Sequence, residues 1–166
     1  MHRKLPALPL LLALCLALSA PLRAQEEPQT AADGRIEAQL DALQYEYEVD
    51  GDNDFKLAFE VGDSDRSQVV YIRSSVESYG KHEVREIWSP GYVSATEQFP
   101  ALIANRLLEA SSDAKLGSWV KQGKNAMFVV KIAAEASKED LDDAIEAAIT
   151  LADEMETELT PGKDDL

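Results

Sequence analysis

Asp50, Asp52 and Asp54 stand at every second position, the spacing at which a calcium loop presents its first carboxylates. Hard cations need several oxygens at once, and clustered carboxylates supply them. The rest of such a loop is missing. Phe55 stands where the sharp-turn glycine belongs, and Val61 where a bidentate acid would close the shell. A polar hairpin tip accounts for the same three residues without a metal. Ser112 with Lys115, and Ser118 with Lys121, fit the Ser-x-x-Lys spacing of some acyl-enzymes, but the companion Ser-Asp-Asn and Lys-Thr-Gly elements are absent. His82 has the carboxylates Glu83 and Glu86 nearby and the right chemistry for a general base. A lone histidine among charges reads better as a surface residue. The sequence therefore names no catalytic residue and no cofactor. Trp88 and Tyr92, flanking Ser89-Pro90-Gly91, are the remaining candidates. Aromatic pairs beside a loop can anchor a protein partner, because they bury much area with few rotors. They can equally close one end of a core.

These residues must be positioned by short elements. Ile36, Leu40 and Leu43 recur at i, i+4 and i+7, which predicts a helix of about three turns after Asp33. From Gln44 to Val49 the period changes to two, with Tyr45, Tyr47 and Val49 alternating as on a half-buried strand. Asp50 to Asp54 forms a turn, and Phe55, Leu57, Phe59 and Val61 resume the alternation until Gly62-Asp63-Ser64-Asp65. Val69–Ile72 begins a third strand and Val84–Trp88 a fourth, after a Tyr79-Gly80 turn; the short links make this an antiparallel meander. Ser89-Pro90-Gly91-Tyr92 reads as its end. A second helix comes next, with Ser94 and Glu97 at capping-box spacing, Pro100 in its first turn and Phe99, Leu102, Ile103 and Leu107 facing inward. Residues 115–120 and 126–132 read as a hairpin through Gln122-Gly123-Lys124-Asn125. The last helix is capped by Ser137 with Asp140 three residues on. Its stripe runs through Leu141, Ile145, Ala148, Ala152, Met155 and Leu159, and Pro161-Gly162 ends it. The expected fold is α+β: an antiparallel sheet, meander plus C-terminal hairpin, with helices packed on it in the order α-β-β-β-β-α-β-β-α.

Residues 1–24 read as a secretory signal. Basic His2-Arg3-Lys4 leads into an apolar run from Leu5 to Ala20, with small residues at Ser19, Ala20 and Ala24. Cleavage before Gln25 avoids placing Pro21 just past the scissile bond. The run is shorter than the roughly 20 residues of a spanning helix, and Pro6 and Pro9 interrupt it. No membrane anchor is expected after cleavage, and the compartment is periplasmic or extracellular. Cys15, the one cysteine, lies within this segment, and Leu14 before it argues against lipidation. The remainder carries no thiol for a disulfide, a nucleophile or a metal. Residues 25–33 read as a disordered leader, 34–159 as a single domain and 160–166 as a polar tail. The final Lys163-Asp164-Asp165-Leu166 is similar to an endoplasmic-reticulum retrieval address, though a frayed tail explains it as well.

The chain has 31 Asp and Glu against 16 Lys and Arg, a net charge of −15. Three of those cations, Arg3, Lys4 and Arg23, leave with the signal, so the exported part is more acidic still. Such a balance excludes nucleic acid, whose phosphates need Lys and Arg, and disfavours anionic membranes.

The stretch Leu40 to Asp50 running into Phe55–Val61, the helix around Ala104-Asn105-Arg106-Leu107-Leu108, and Met127 to Ile132 leading to Ser137-Lys138-Glu139-Asp140-Leu141 together resemble the YbjN family of bacterial proteins. That family is described as sensory-transduction regulators and is related in fold to type III secretion chaperones. The resemblance spans roughly residues 34–159, and rests on element order and apolar positions. It implies a compact, secretion-chaperone-like α+β sandwich and allows a homodimer; it implies no catalytic residue. The secretion signal departs from a cytoplasmic regulatory role. The expectation is an exported, non-catalytic module that binds a protein or peptide, a basic one by charge, through a sheet face or edge. The alternatives are a ligand- or calcium-sensing domain using the Asp-rich turn and, last, a hydrolase.

Overall fold

The computed structural model describes residues 31–62 and 66–162. The signal-like segment, most of the leader and the Lys163-Asp164-Asp165-Leu166 tail lie outside the described residues. Among those described, the chain is α+β, with three helices and one antiparallel seven-stranded sheet.

Helix α1 spans Gly34–Leu43, and its N-cap is Asp33, whose side chain accepts the Arg35 N–H. Asp33 thus belongs to the folded domain rather than to the leader. Gln44 closes the helix in the left-handed region at φ 63°. The tyrosines beyond it do not form the expected strand. Strand β1 is only Glu48–Val49. The Tyr45 hydroxyl donates to Asp142 Oδ1 at 2.5 Å, and the Tyr47 hydroxyl donates to Asp41 Oδ1 at 3.1 Å. Their rings meet Phe59 and Phe55 edge-on. Side chains, not a backbone ladder, fix this segment. Burial and the Asp142 carboxylate push the Tyr45 hydroxyl up to about 12.

Strands β2 (Phe55–Val61) and β3 (Arg66–Ile72) pair along their full length. Residues 77–84 hold a hairpin absent from the expected order: β4 (Glu77–Tyr79) turns at Gly80, φ 62°, into β5 (His82–Val93). Strand β5 runs straight through Ser89-Pro90-Gly91-Tyr92, whose composition marks it as the end of the meander. It pairs with β7 (Asn125–Ala133) across a bulge between Pro90 and Tyr92. The β3–β5 ladder stops at Tyr71–Trp88, and beyond it side chains bridge the strands. Gln68 donates to Pro90 O at 2.6 Å and to Ser89 Oγ at 2.9 Å, while Ser89 Oγ donates to Val69 O. Turn-forming composition lies inside a strand here because the bulge absorbs it.

Helix α2 (Ala101–Asp113) starts later than its Ser94–Glu97 spacing suggests. Pro100 disfavours helical backbone at Phe99, so Pro100 itself becomes the N-cap, without a side-chain bond. Ser94 Oγ instead donates to Gln98 O. Leu107 is buried, but Leu102 is 80% exposed and does not face inward. Strands β6 (Ser118–Gln122) and β7 form the expected hairpin. Helix α3 (Lys138–Leu159) begins with the predicted capping box of Ser137 and Asp140.

The sheet order is β1-β2-β3-β5-β7-β6, with β4 on β5. Strand side chains alternate between faces. One face carries Phe55, Leu57, Val70, Ile72, Ile87 and Phe128, and it packs against Leu40 of α1 and Leu141, Ile145 and Ala148 of α3. Burying a side chain such as Leu141 or Ile145 contributes roughly 1.5–3 kcal/mol. Arg66 pins β3 to α3 through Asp153 at 2.8 Å and the fully buried Glu156 at 3.1 Å. Helix α2 joins the same side through Leu107, Ala126 and Met155. All three helices therefore share one face. The other face of the sheet has no helix on it among the described residues.

Candidate functional site

The helix-free face holds a groove of about 410 Å³. Its floor is Val69 and Tyr71 of β3, Trp88 and Pro90 of β5 and Met127 of β7. Pairing explains the assembly: Tyr71 stands opposite Trp88, Trp88 opposite Val129, and Pro90 opposite Met127. One wall is Asp50, Asp52 and Asp54 from the β1–β2 turn; the other carries the amides Gln122 and Asn125 from the β6–β7 turn. Two candidates that the sequence offers separately, the Asp-rich turn and Trp88, thus meet in one place.

The acids have protein partners of their own. Asp50 Oδ1 accepts the N–H groups of Asp52 and Asp54, which builds the turn, with Asn53 left-handed at φ 64°. Asp54 is 5% exposed; its Oδ1 accepts the Ser74 N–H at 2.8 Å, and its Oδ2 lies 2.6 Å from Arg73 Nε. Burial pushes the Asp54 carboxyl above its usual range, against the pull of the Ser74 N–H and Arg73. Among the described residues no group of three or more His, Cys, Asp or Glu is arranged to hold a metal ion. Arg73 spreads over the Trp88 ring, its guanidinium carbon 5.8 Å from the ring centre. The Trp88 indole N–H donates to Glu86 Oε2 at 2.8 Å, and Glu86 pairs with Lys131. The aromatic floor is held in place by a charge ladder.

Tyr92 is elsewhere. The bulge turns it to the helix side, where it meets Phe99 edge-on at 5.8 Å beside Leu107 and Met155. Trp88 and Tyr92 are therefore not a pair but lie on opposite faces. The hydrolytic candidates do not line the groove. Ser118 and Lys121, three apart on β6, point to opposite faces. Ser112 lies in the last turn of α2, with Lys115 beyond its end, and His82 is exposed at the start of β5. Tyr71, Arg73 and Met127 are site residues that residue type and spacing alone do not single out. Their signal is present in the sequence: each alternates with a core residue, Val70, Ile72 or Phe128, and so must face away from the helices.

A second concavity, about 760 Å³ and more apolar, lies between α2 and β6, lined by Phe99, Leu107, Leu108 and Trp119 among others. No protein-family model matches the chain, and no curated protein matches it significantly.

Proposed function

We propose that this is an exported, non-catalytic module that binds an extended, basic protein segment on the helix-free face of its sheet. The observation that carries the reading is the groove: an aromatic and apolar floor between an acidic wall and an amide wall. Apolar floors supply affinity, and charged rims supply rate and selectivity. A face is favoured over an edge because the groove lies on the face; at the β6 edge, Ser111 Oγ of α2 already accepts the Trp119 N–H at 2.9 Å. A YbjN-like, secretion-chaperone-like role fits the same geometry, since such a module works by contact.

The test is calorimetric titration with a nine-residue peptide alternating arginine and valine, beside its glutamate counterpart. The arginine peptide should bind and lose at least tenfold in affinity between low and high salt; the glutamate peptide should give no heat. Trp88→Ala should weaken binding about tenfold with little change in melting temperature. Tyr92→Ala should do the reverse, lowering the melting temperature by several degrees and leaving affinity intact. Equal binding of both peptides, or no binding of either, removes the proposal. For the compartment, N-terminal sequencing of protein from the exported fraction should begin at Gln25. Full-length chain confined to the cytosol would remove that part alone.

A further inference from the structure

We propose that Trp88 and Asp54 form a guanidinium site which the chain's own Arg73 occupies in the unbound protein, and which an arginine of the bound segment takes over. This deepens the peptide reading and rests on it only for the identity of the incoming arginine.

A guanidinium is a flat, weakly hydrated cation that stacks on an aromatic face while its edge meets a carboxylate. The groove supplies both halves. The Trp88 ring is tethered through its N–H to Glu86, so its orientation is fixed before any ligand arrives. Asp54 is buried and fixed by the Ser74 N–H, so its second oxygen is held toward the groove. Arg73 already has the pose such a ligand would adopt, over the ring at 5.8 Å and 2.6 Å from Asp54 Oδ2.

Three observations make that occupancy exchangeable. The Arg73 side chain is 36% exposed, so its guanidinium can swing out to solvent without disturbing the core, while its partner Asp54, 8% exposed, stays behind in the groove. Its Nε approaches Asp54 by distance but makes no aligned hydrogen bond. The carboxyl of Asp54 is raised by burial, so the neighbouring cation compensates its charge only in part. Asp50 and Asp52 on the same wall add charge that an incoming cation would meet first. An internal occupant lowers apparent affinity by the fraction of time it vacates the site. If Arg73 leaves the site open about a tenth of the time, its removal tightens binding about tenfold.

The experiment tracks the Trp88 indole N–H resonance, assigned with Trp88→Ala, during titration with N-acetyl-arginine amide. N-acetyl-citrulline amide, a neutral isostere, is the control. Arg73→Ala should respond at about tenfold lower concentration than the natural protein and should bind the arginine–valine peptide more tightly as well. Citrulline should do neither. Arg73→Met, which retains the stem over the ring, serves as the second variant should Arg73→Ala lower the melting temperature. An unchanged or weaker response in both Arg73 variants, or equal response to citrulline, overturns the proposal. If the natural protein still binds the peptide through Trp88 in that case, the peptide reading survives alone. If no chain binds the peptide while Arg73→Ala takes up the arginine amide, the guanidinium site stands and the peptide reading falls.

Discussion

Arg85→Ala is expected to lower stability by about 3 kcal/mol, the low end of the cost of removing one partner from a buried ion pair. Arg85 is 3% exposed, and its guanidinium closes the corner where the domain begins. One nitrogen donates to the carbonyls of Arg73 at 2.8 Å and Ser74 at 3.3 Å, the other to Asp33 Oδ2 at 2.6 Å. Alanine leaves two carbonyls and a carboxylate short of a donor. Asp33 keeps Arg35 as a partner, which moderates the loss. Urea denaturation should show a lower midpoint at unchanged slope, and Arg85→Lys should recover only part of the loss because it lacks the fork. The same corner sets an acid limit. The side chain of Arg35 holds the Asp33 carboxyl well below the usual carboxylate range; burial opposes this, and the Arg35 N–H and Arg85 add to it. A folded-state value below the unfolded one means that the contribution is complete above about pH 4 and is lost as pH falls through the folded value. Asp33→Asn should therefore be less stable at neutral pH, with a shallower decline below about pH 4. A midpoint change worth under about 1 kcal/mol for Arg85→Ala, or an unchanged acid slope for Asp33→Asn, would contradict this account.

That corner also marks a limit of reading elements from local pattern. Asp33 looks like the end of a polar leader, because its partner Arg85 is 52 residues away. The capping box of α3 and its stripe from Leu141 to Met155 are legible, since cap and period are both set within a few residues. The segment from Tyr45 to Tyr47 misleads for the opposite reason. Its alternation is real, but carboxylates of α1 and α3, Asp41 and the distant Asp142, take the hydroxyls, and strand pairing is confined to Glu48–Val49. Ser89-Pro90-Gly91-Tyr92 has the composition of a turn and lies within β5. Gly91 is required there for a non-local reason: a Cβ would stand 2.5 Å from the Trp119 ring and 3.0 Å from the Ala152 carbonyl.

The site is legible in pieces. Asp50, Asp52, Asp54 and Trp88 attract notice by type alone. The meander already places β3 between β2 and β5; which side chains share the helix-free face, and that β7 lies beside β5, is set by pairing across the sheet. Arg73 becomes interesting only once Trp88 is beneath it and Asp54 beside it. Tyr92 pairs with Trp88 only through a turn that does not exist, and the bulge sends it to the opposite face. An aromatic residue's function here depends on which face of the sheet it occupies.

Gly117→Ala is the substitution expected to do most damage for the fewest added atoms. Gly117 precedes β6 at φ +78°, where an L side chain is strained by about 1–2 kcal/mol. A Cβ would also stand 2.5 Å from the Val129 carbonyl oxygen and 2.9 Å from Phe128. The first contact is backbone on the neighbouring strand, so relief requires moving β6 away from β7. That shift would pull Trp119 from its edge-on contact with Phe128, now at 5.4 Å, and strain the Ser111 bond that fastens α2 to this edge. Overpacking of this kind adds about 1–3 kcal/mol, for a combined loss of about 2–5 kcal/mol. Gly123, in the turn of the same hairpin, provides the control. Its φ is +57°, but a Cβ there meets nothing within 4 Å, so Gly123→Ala should lose only about 1–2 kcal/mol for the backbone conformation. Thermal melts of the two variants should separate by several degrees. Similar melting temperatures would mean that the β6–β7 edge yields freely, and that α2 is not held by the hairpin in the way the Trp119 and Ser111 contacts imply.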